Sequence, residues 1–201
     1  MKRFSDILFG LILFSILSPF LIIISLVIKV DSKGPVLFSQ RRIGRNNKEF
    51  VLYKFRTMRT EAPNVATHLL KDPNSYITPF GKFLRKSSLD ELPQLLNILK
   101  GDMTFIGPRP ALYSQYDLIK LRTRCGVHRL RPGVSGWAQV NGRDCLEISE
   151  KVNHDFYYLE HHNLIFDIKI LFFTALTVLK ADGFREGHQN PNMVERRKSS
   201  I

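Results

Sequence analysis

The sequence predicts an α+β, mainly helical fold in three parts. Residues 1–33 form a re-entrant membrane helix-break-helix. Residues 34–184 form a cytoplasmic domain with a small β-hairpin and amphipathic helices lying in the membrane interface. Residues 185–201 are a polar tail. Three observations carry this expectation. Residues 7–28 are free of charge and interrupted midway by Ser18-Pro19. Apolar runs between residues 35 and 58 bracket a Gly-Arg-Asn-Asn turn. From residue 80 onward the apolar spacing is helical.

Composition sets the outer bounds. The chain has 201 residues, 30 Lys+Arg against 18 Asp+Glu, and a net charge of +12. That length suits one domain with an ordinary core, and the basic excess calls for an anionic partner: nucleic acid, an acidic lipid surface or a phosphorylated substrate. Hydrophobic residues at 44% exclude a mostly disordered chain, and a mean hydropathy of -0.10 excludes a polytopic membrane protein. Cys125 and Cys145 form no CxxC or disulfide framework and read as reduced thiols of a cytoplasmic domain.

The apolar run of 22 residues from 7 to 28 is about 33 Å long as a helix, roughly one hydrocarbon core. A single transmembrane anchor is the simple reading. Two features favour a re-entrant hairpin instead. Pro19 removes a helical hydrogen bond at the midpoint, and both flanks are basic: Lys2 and Arg3 before, Lys29, Lys33, Arg41, Arg42 and Arg45 after. Both flanks then belong on the cytoplasmic face. A cleaved signal peptide fits poorly, because no small-x-small cleavage site follows the run.

Residues 35–58 read as a β-hairpin, with Val36-Leu37-Phe38 and Phe50 to Phe55 as strands. Seven basic residues and one acid lie between Arg41 and Arg59, which suits either a solvated face or a surface on anionic lipid. Residues 61–79 are polar and rich in Pro and Asn, as in a mobile loop. A short helix over residues 80–84 ends near Arg85-Lys86. Leu92, Leu95, Leu96 and Leu99 then give a helix that begins close to Asp90 and stops at Lys100-Gly101. Asp90 and Glu91 would stand at its positive end, where acids most often serve as caps.

Residues 102–106 read as a strand leading into Gly107-Pro108-Arg109-Pro110, whose two prolines present Arg109 from a stiff turn. Arg122, Arg124, Arg129 and Arg131 follow. Residues 132–143 hold three glycines, the only tryptophan, Gln139, Asn141 and Arg143, parts used to hold a base and phosphates. Residues 155–160 and 163–180 read as helices. The second is either a buried core helix or one lying in the membrane interface. The six histidines show no zinc spacing, and neither GxGxxG nor GxxxxGK[ST] occurs.

An adjacent carboxylate pair, a stiff arginine loop and flanking cations suit phosphoryl chemistry. A carboxylate attacking a diphosphate is an anion approaching an anion, so cations must neutralise the oxygens. A carboxylate nucleophile would form an acyl phosphate.

These motifs are recognisable together. Asp90-Glu91-Leu92-Pro93-Gln94-Leu95, Gly101-Asp102-Met103, Gly107-Pro108-Arg109-Pro110, Arg131-Pro132-Gly133 and residues 136–143, with Ser18-Pro19 and Tyr53-Lys54-Phe55, resemble the bacterial sugar transferases, the monotopic phosphoglycosyl transferases. The resemblance runs over residues 2–180 and looks like that family's minimal catalytic unit, without the N-terminal transmembrane domain of larger relatives. It implies that residues 34–184 are the catalytic domain, and that a sugar 1-phosphate passes from a UDP-sugar to undecaprenyl phosphate at the cytoplasmic face of the bacterial inner membrane. The products would be undecaprenyl-diphosphate-sugar and UMP. This would be the first membrane step of capsule, O-antigen, exopolysaccharide or glycoprotein assembly.

The resemblance also implies roles. Asp90 would be the nucleophile and carry the phosphosugar; it would also hold the family's cofactor, Mg²⁺. Glu91 would assist attack by the lipid phosphate. Lys54, Arg85 and Arg109 match basic positions around that site, and Arg131, Gln139, Asn141 and Arg143 join them as phosphate or substrate binders. Arg56 stands where relatives often carry lysine. The implied partners are the UDP-sugar, undecaprenyl phosphate and inner-membrane lipids; homodimerisation stays open. A nucleic-acid-binding module would explain +12 but leave Asp90-Glu91 and the Pro-Arg-Pro turn unused. A diphosphate hydrolase differs in using water as acceptor.

Overall fold

The computed structural model describes residues 2–63, 72, 75–142 and 145–179. The tail expected over 185–201 and most of the loop expected over 61–79 lie outside them.

Helix α1 (Lys2–Asp31) is one α-helix of 30 residues with Pro19 inside it, about 45 Å at 1.5 Å per residue. The break expected at Ser18-Pro19 is therefore not an interruption of the helix. Pro19 lacks the N–H that the Ser15 carbonyl would accept four residues back, but Ser18 Oγ donates to that same carbonyl at 2.9 Å. The acceptor orphaned by the ring thus keeps a partner.

Helix α1 lies along the body rather than standing off it. Lys2 Nζ donates to Ile106 O, Tyr158 OH and Asp167 Oδ2 at 3.0, 2.6 and 2.7 Å. Arg3 caps carbonyls at Ile98 and Leu99, and buried Asp6 accepts from Thr104 Oγ1 at 2.9 and 3.0 Å. Midway, Phe14 and Leu17 pack on Leu52, Leu95, Ile98 and Met103. At the far end Ile24 and Ile28 are buried with Phe55 and Leu84. The opposite side is bare, with Phe4, Ile16, Ile22 and Leu26 between 61 and 73% exposed. Lys2 and Arg3, expected only as basic flanks, are bonded into the protein.

The expected hairpin is present. Strands β1 (Leu37–Ile43) and β2 (Glu49–Phe55) pair antiparallel, with Leu37 opposite Phe55. Asn46 and Asn47, both at positive φ, make the turn. Helix α2 (Pro79–Lys86) is capped by Thr78, whose Oγ1 accepts from Gly81 N. After a 3₁₀ turn at Leu89–Glu91 comes α3 (Gln94–Lys100), then β3 (Thr104–Ile106), β4 (Ala111–Leu112) and α4 (Tyr116–Arg124). Strand β5 (Gly133–Ser135) leads into the short α5 (Trp137–Val140), and α6 (Ile148–His161) and α7 (Leu164–Leu179) follow. Strands β2, β1 and β4 form one sheet in that order; β3 and β5 form a parallel pair.

Fully buried Asn97 on α3 fixes the sheet against the helices. Its Oδ1 accepts from Tyr53 N at 3.1 Å and its Nδ2 donates to Val51 O at 2.7 Å. One side chain thereby satisfies the open edge of β2.

The two readings of residues 163–180 separate here. Helix α7 buries Ile170 against Ile106 and Tyr158. It leaves Leu164, Ile165 and Phe172 exposed at 72, 81 and 62%. A fully buried core helix is excluded. An apolar face stays open on α7, joined to α1 through the Lys2–Asp167 pair.

Candidate active site

Helix α2 ends at Ser87, and Ser88 adopts a left-handed conformation with φ of 58°. A side chain at positive φ is uncommon and is retained where the surroundings demand it. Here it turns the chain so that Leu89–Glu91 forms a separate 3₁₀ turn. The sequence placed Asp90 and Glu91 at the start of the leucine helix. That helix begins at Gln94, because Pro93 occupies its N-cap and the acids belong to the turn before it. They are not simple caps of α3.

Strand β2 brings Lys54 to this turn. Lys54 Nζ lies 2.6 Å from Glu91 Oε1 and 3.9 Å from Asp90 Oδ2. Arg109 Nη2 reaches the same Glu91 oxygen at 3.1 Å. Both carboxylate side chains are nearly buried, 13% exposed at Asp90 and 10% at Glu91. Burial holds the Asp90 carboxyl above its ordinary range; Lys54 opposes that, adjacent Glu91 reinforces it, and Arg85 and Arg109 oppose it further. Asp90, Glu91, Lys54, Arg85 and Arg109 therefore make one electrostatic unit.

The Arg109 loop is welded to β5 by backbone alone. Gly107 N donates to Ser135 O at 2.8 Å and Gly133 N to Pro108 O at 3.0 Å. A Cβ on Gly136 would lie 2.1 Å from Gly107 O, and one on Gly133 would lie 2.1 Å from Gly107 N. Close backbone approach, not a turn, is what these glycines supply.

The remaining expected residues lie elsewhere. Arg131 Nε donates to Gly101 O at 3.1 Å and its charged neighbours are Arg45, Arg3 and Asp6; burial and those cations hold its pKa below the usual arginine value. Asn141 Nδ2 donates to Trp137 O and closes α5. Gln139 sits on α5 with its amide O and N buried and lacking a hydrogen-bond partner among the described residues. A ligand would satisfy such an amide. Arg143 lies outside the described residues.

Sequence reasoning missed two groups. Arg122 reads as one of a run of arginines, yet it is buried and bonded to Asp155, 33 residues away on α6. No local pattern links them; only the odd charge on an otherwise buried helix face hints at Asp155.

Among the described residues no three His, Cys, Asp or Glu side chains cluster to cage a metal. Mg²⁺ commonly takes one or two carboxylates and completes its shell with waters and substrate phosphates. Asp90 fits that use, since the nearest cation to its carboxylate among the described residues, Lys54, stays 3.9 Å away, whereas Glu91 Oε1 is committed to two cations.

Residues 1–181 match the bacterial sugar transferase family. The chain is 39% identical, over 92% of its length, to the UDP-N-acetylgalactosamine-undecaprenyl-phosphate N-acetylgalactosaminephosphotransferase of Aeromonas hydrophila, of which the match covers 45%. It is 42% identical, over 87% of its length, to the UDP-glucose:undecaprenyl-phosphate glucose-1-phosphate transferase of Escherichia coli (strain K12), of which the match covers 39%. It is 37% identical, over 92% of its length, to the exopolysaccharide production protein PSS of Rhizobium leguminosarum bv. phaseoli, covering 98% of that protein. The chain thus spans less than half of the first two relatives and nearly all of the third.

Proposed function

The chain belongs to the bacterial sugar transferase family, and from that premise we propose that it transfers a sugar 1-phosphate from a UDP-sugar to undecaprenyl phosphate. The observation that carries this reading is the buried Asp90–Glu91 pair ringed by Lys54, Arg85 and Arg109. Buried carboxylates beside several cations suit an anion that must attack an anion.

In the first step an Asp90 carboxylate oxygen attacks the β-phosphorus. A new P–O bond forms to Asp90, the bond to the oxygen bridging the two phosphates breaks, and its electron pair leaves with UMP. In the second step an oxygen of the lipid phosphate attacks the same phosphorus. The bond to Asp90 breaks, the carboxylate returns, and the product is undecaprenyl-diphosphate-sugar. Arg109 and Lys54 neutralise charge on the phosphoryl oxygens, Glu91 orients both and assists the lipid phosphate, and Arg85 supports Asp90. Asp90 would hold Mg²⁺, which would supply further neutralisation of phosphate charge when bound. Among the described residues of the 131–143 segment, Gln139, whose buried amide lacks a partner there, is available to take a polar group of the substrate.

The membrane placement follows the same logic. Both ends of α1 engage one body, Lys2 at β3 and α7 and Ile28 beside α2, which supports both ends lying on one membrane face. The basic flanks put that face in the cytoplasm of a bacterial inner membrane, and the bare sides of α1 and α7 supply the apolar contact.

The test is UMP release from a panel of UDP-sugars with a short-chain polyprenyl phosphate. Release that requires the lipid and yields a lipid diphosphate sugar supports the reading. Sugar 1-phosphate accumulating without lipid would make the chain a hydrolase.

A further inference from the structure

Pro108, Arg109 and Pro110 form a loop in which both prolines lack a backbone donor, so its carbonyls are what the surroundings can grip. Each is held by a different element. Pro108 O accepts from Gly133 N of β5 at 3.0 Å, Pro110 O from Arg42 Nη1 of β1 at 3.1 Å, and Arg109 O from Arg122 Nη1 of α4 at 2.8 Å. The bonds to Pro110 O and Arg109 O are both charge-assisted, and the donor to Arg109 O is itself fixed. Arg122 Nε and Nη2 both donate to Asp155 Oδ2, at 2.9 and 2.6 Å. Asp155 is 1% exposed and Arg122 9%.

From this geometry we infer that Arg122, braced by Asp155, is a positioning residue for the reaction: it sets the backbone of Arg109, and through it the guanidinium that meets Glu91 and the substrate phosphate. The inference rests on the proposed role of Arg109. Stability alone does not account for the pair. Replacing a buried ion pair by apolar groups of similar volume is often neutral or stabilising, because desolvating two charges offsets their attraction. What a leucine pair would lack is a donor aimed at the one carbonyl between two prolines. The planar fork suits this task, since two edges of one rigid guanidinium face two acceptors. A lysine has a single nitrogen and cannot span both in that geometry.

The experiment is a double-mutant cycle on the full chain in lipid nanodiscs, following lipid-dependent UMP release and melting temperature. Arg122→Lys keeps a cation beside Asp155. It should melt within a few degrees of wild type yet lose about 10- to 100-fold in kcat/KM, the scale of a misplacement near 1 Å. In an Arg109→Ala background the same change should cost less than about threefold, because the group it positions is gone. A loss that multiplies undiminished in that background assigns Arg122 a general structural role and overturns the inference, as does wild-type turnover in Arg122→Lys. Should Arg122→Lys not fold, Arg122→Gln with Asp155→Asn removes both charges together and is read by the same cycle. Should wild type release no UMP with any UDP-sugar, the functional reading fails, and the inference is decided by UMP binding. Arg122→Lys then weakens UMP binding to the otherwise wild-type chain and not to Arg109→Ala; equal weakening in both, or no UMP binding at all, overturns it.

Discussion

Lys54→Met replaces one ammonium, shared by two carboxylates, with an apolar chain of similar length. At 2.6 Å from Glu91 and an effective dielectric of about 20, the attraction is about 6 kcal/mol before desolvation. Lys54 and Glu91 are only 18 and 10% exposed, so the pair behaves as a buried one, and breaking such a pair costs about 3 kcal/mol or more. For a chain of this size that is a fall of about 6–12 °C in melting temperature. The sign with pH follows from Asp90. Burial holds its carboxyl above the ordinary range and Lys54 opposes that shift, so removing Lys54 raises it further. A carboxyl raised on folding stabilises the fold fully when pH is below its unfolded pKa, and that contribution is lost as pH rises through the folded value. The deficit of Lys54→Met should therefore be wide near pH 8 and close as Asp90 protonates in acid. Turnover should fall about 100- to 1000-fold, the usual loss for one preorganised electrostatic group. The assay pairs melting curves of both proteins at several pH values with UMP release. A deficit that does not change with pH, or turnover within a few-fold of wild type, would refute the coupling of Lys54 to the carboxylate pair.

Other outcomes follow from the same geometry. Asp90→Asn should show no phosphosugar mass increment on mixing with UDP-sugar and Mg²⁺ without lipid, while Glu91→Gln retains one by intact-protein mass; the reverse pattern would exchange their roles. Gly136→Ala places a Cβ 2.1 Å from Gly107 O, so the Arg109 loop must shift; it should cost about 3 kcal/mol by denaturant unfolding together with most of the activity. Cysteines at positions 2 and 33 should label from the same side of the membrane in cells, and opposite labelling would mean that α1 spans the bilayer.

Local physics made much of this molecule legible. The leucine helix and the strand into Gly107 each announce themselves over fewer than a dozen residues, and the β-hairpin over about two dozen. Asp90, Glu91 and Arg109 emerged because a carboxylate pair and a Pro-Arg-Pro turn are short and chemically unusual, whereas Lys54 came only through the family resemblance. The fold brings those four into contact. What stayed hidden depends on distance along the chain or on competition for a partner. Nothing near Arg122 points to Asp155. Arg131 and Asn141 carry the same donors as a substrate-binding group, but the fold occupies them with backbone carbonyls at Gly101 and Trp137. At Pro19 the rule that proline interrupts a helix was sound for its own N–H, and the neighbouring Ser18 hydroxyl supplied what the rule omits.

The clamp on the first turn of α1 bears on how the chain is made. Lys2 meets Asp167, 165 residues later, and Tyr158, 156 residues later. At about 5–20 residues per second the helix leaves the ribosome roughly ten to thirty seconds before these partners exist. During that interval its apolar run has no protein surface for its first turn and is free to meet lipid. Docking of Lys2 then closes a loop of nearly the whole described chain, among the most expensive contacts in entropy and so among the last to form. The order of synthesis alone favours membrane entry before completion of the fold.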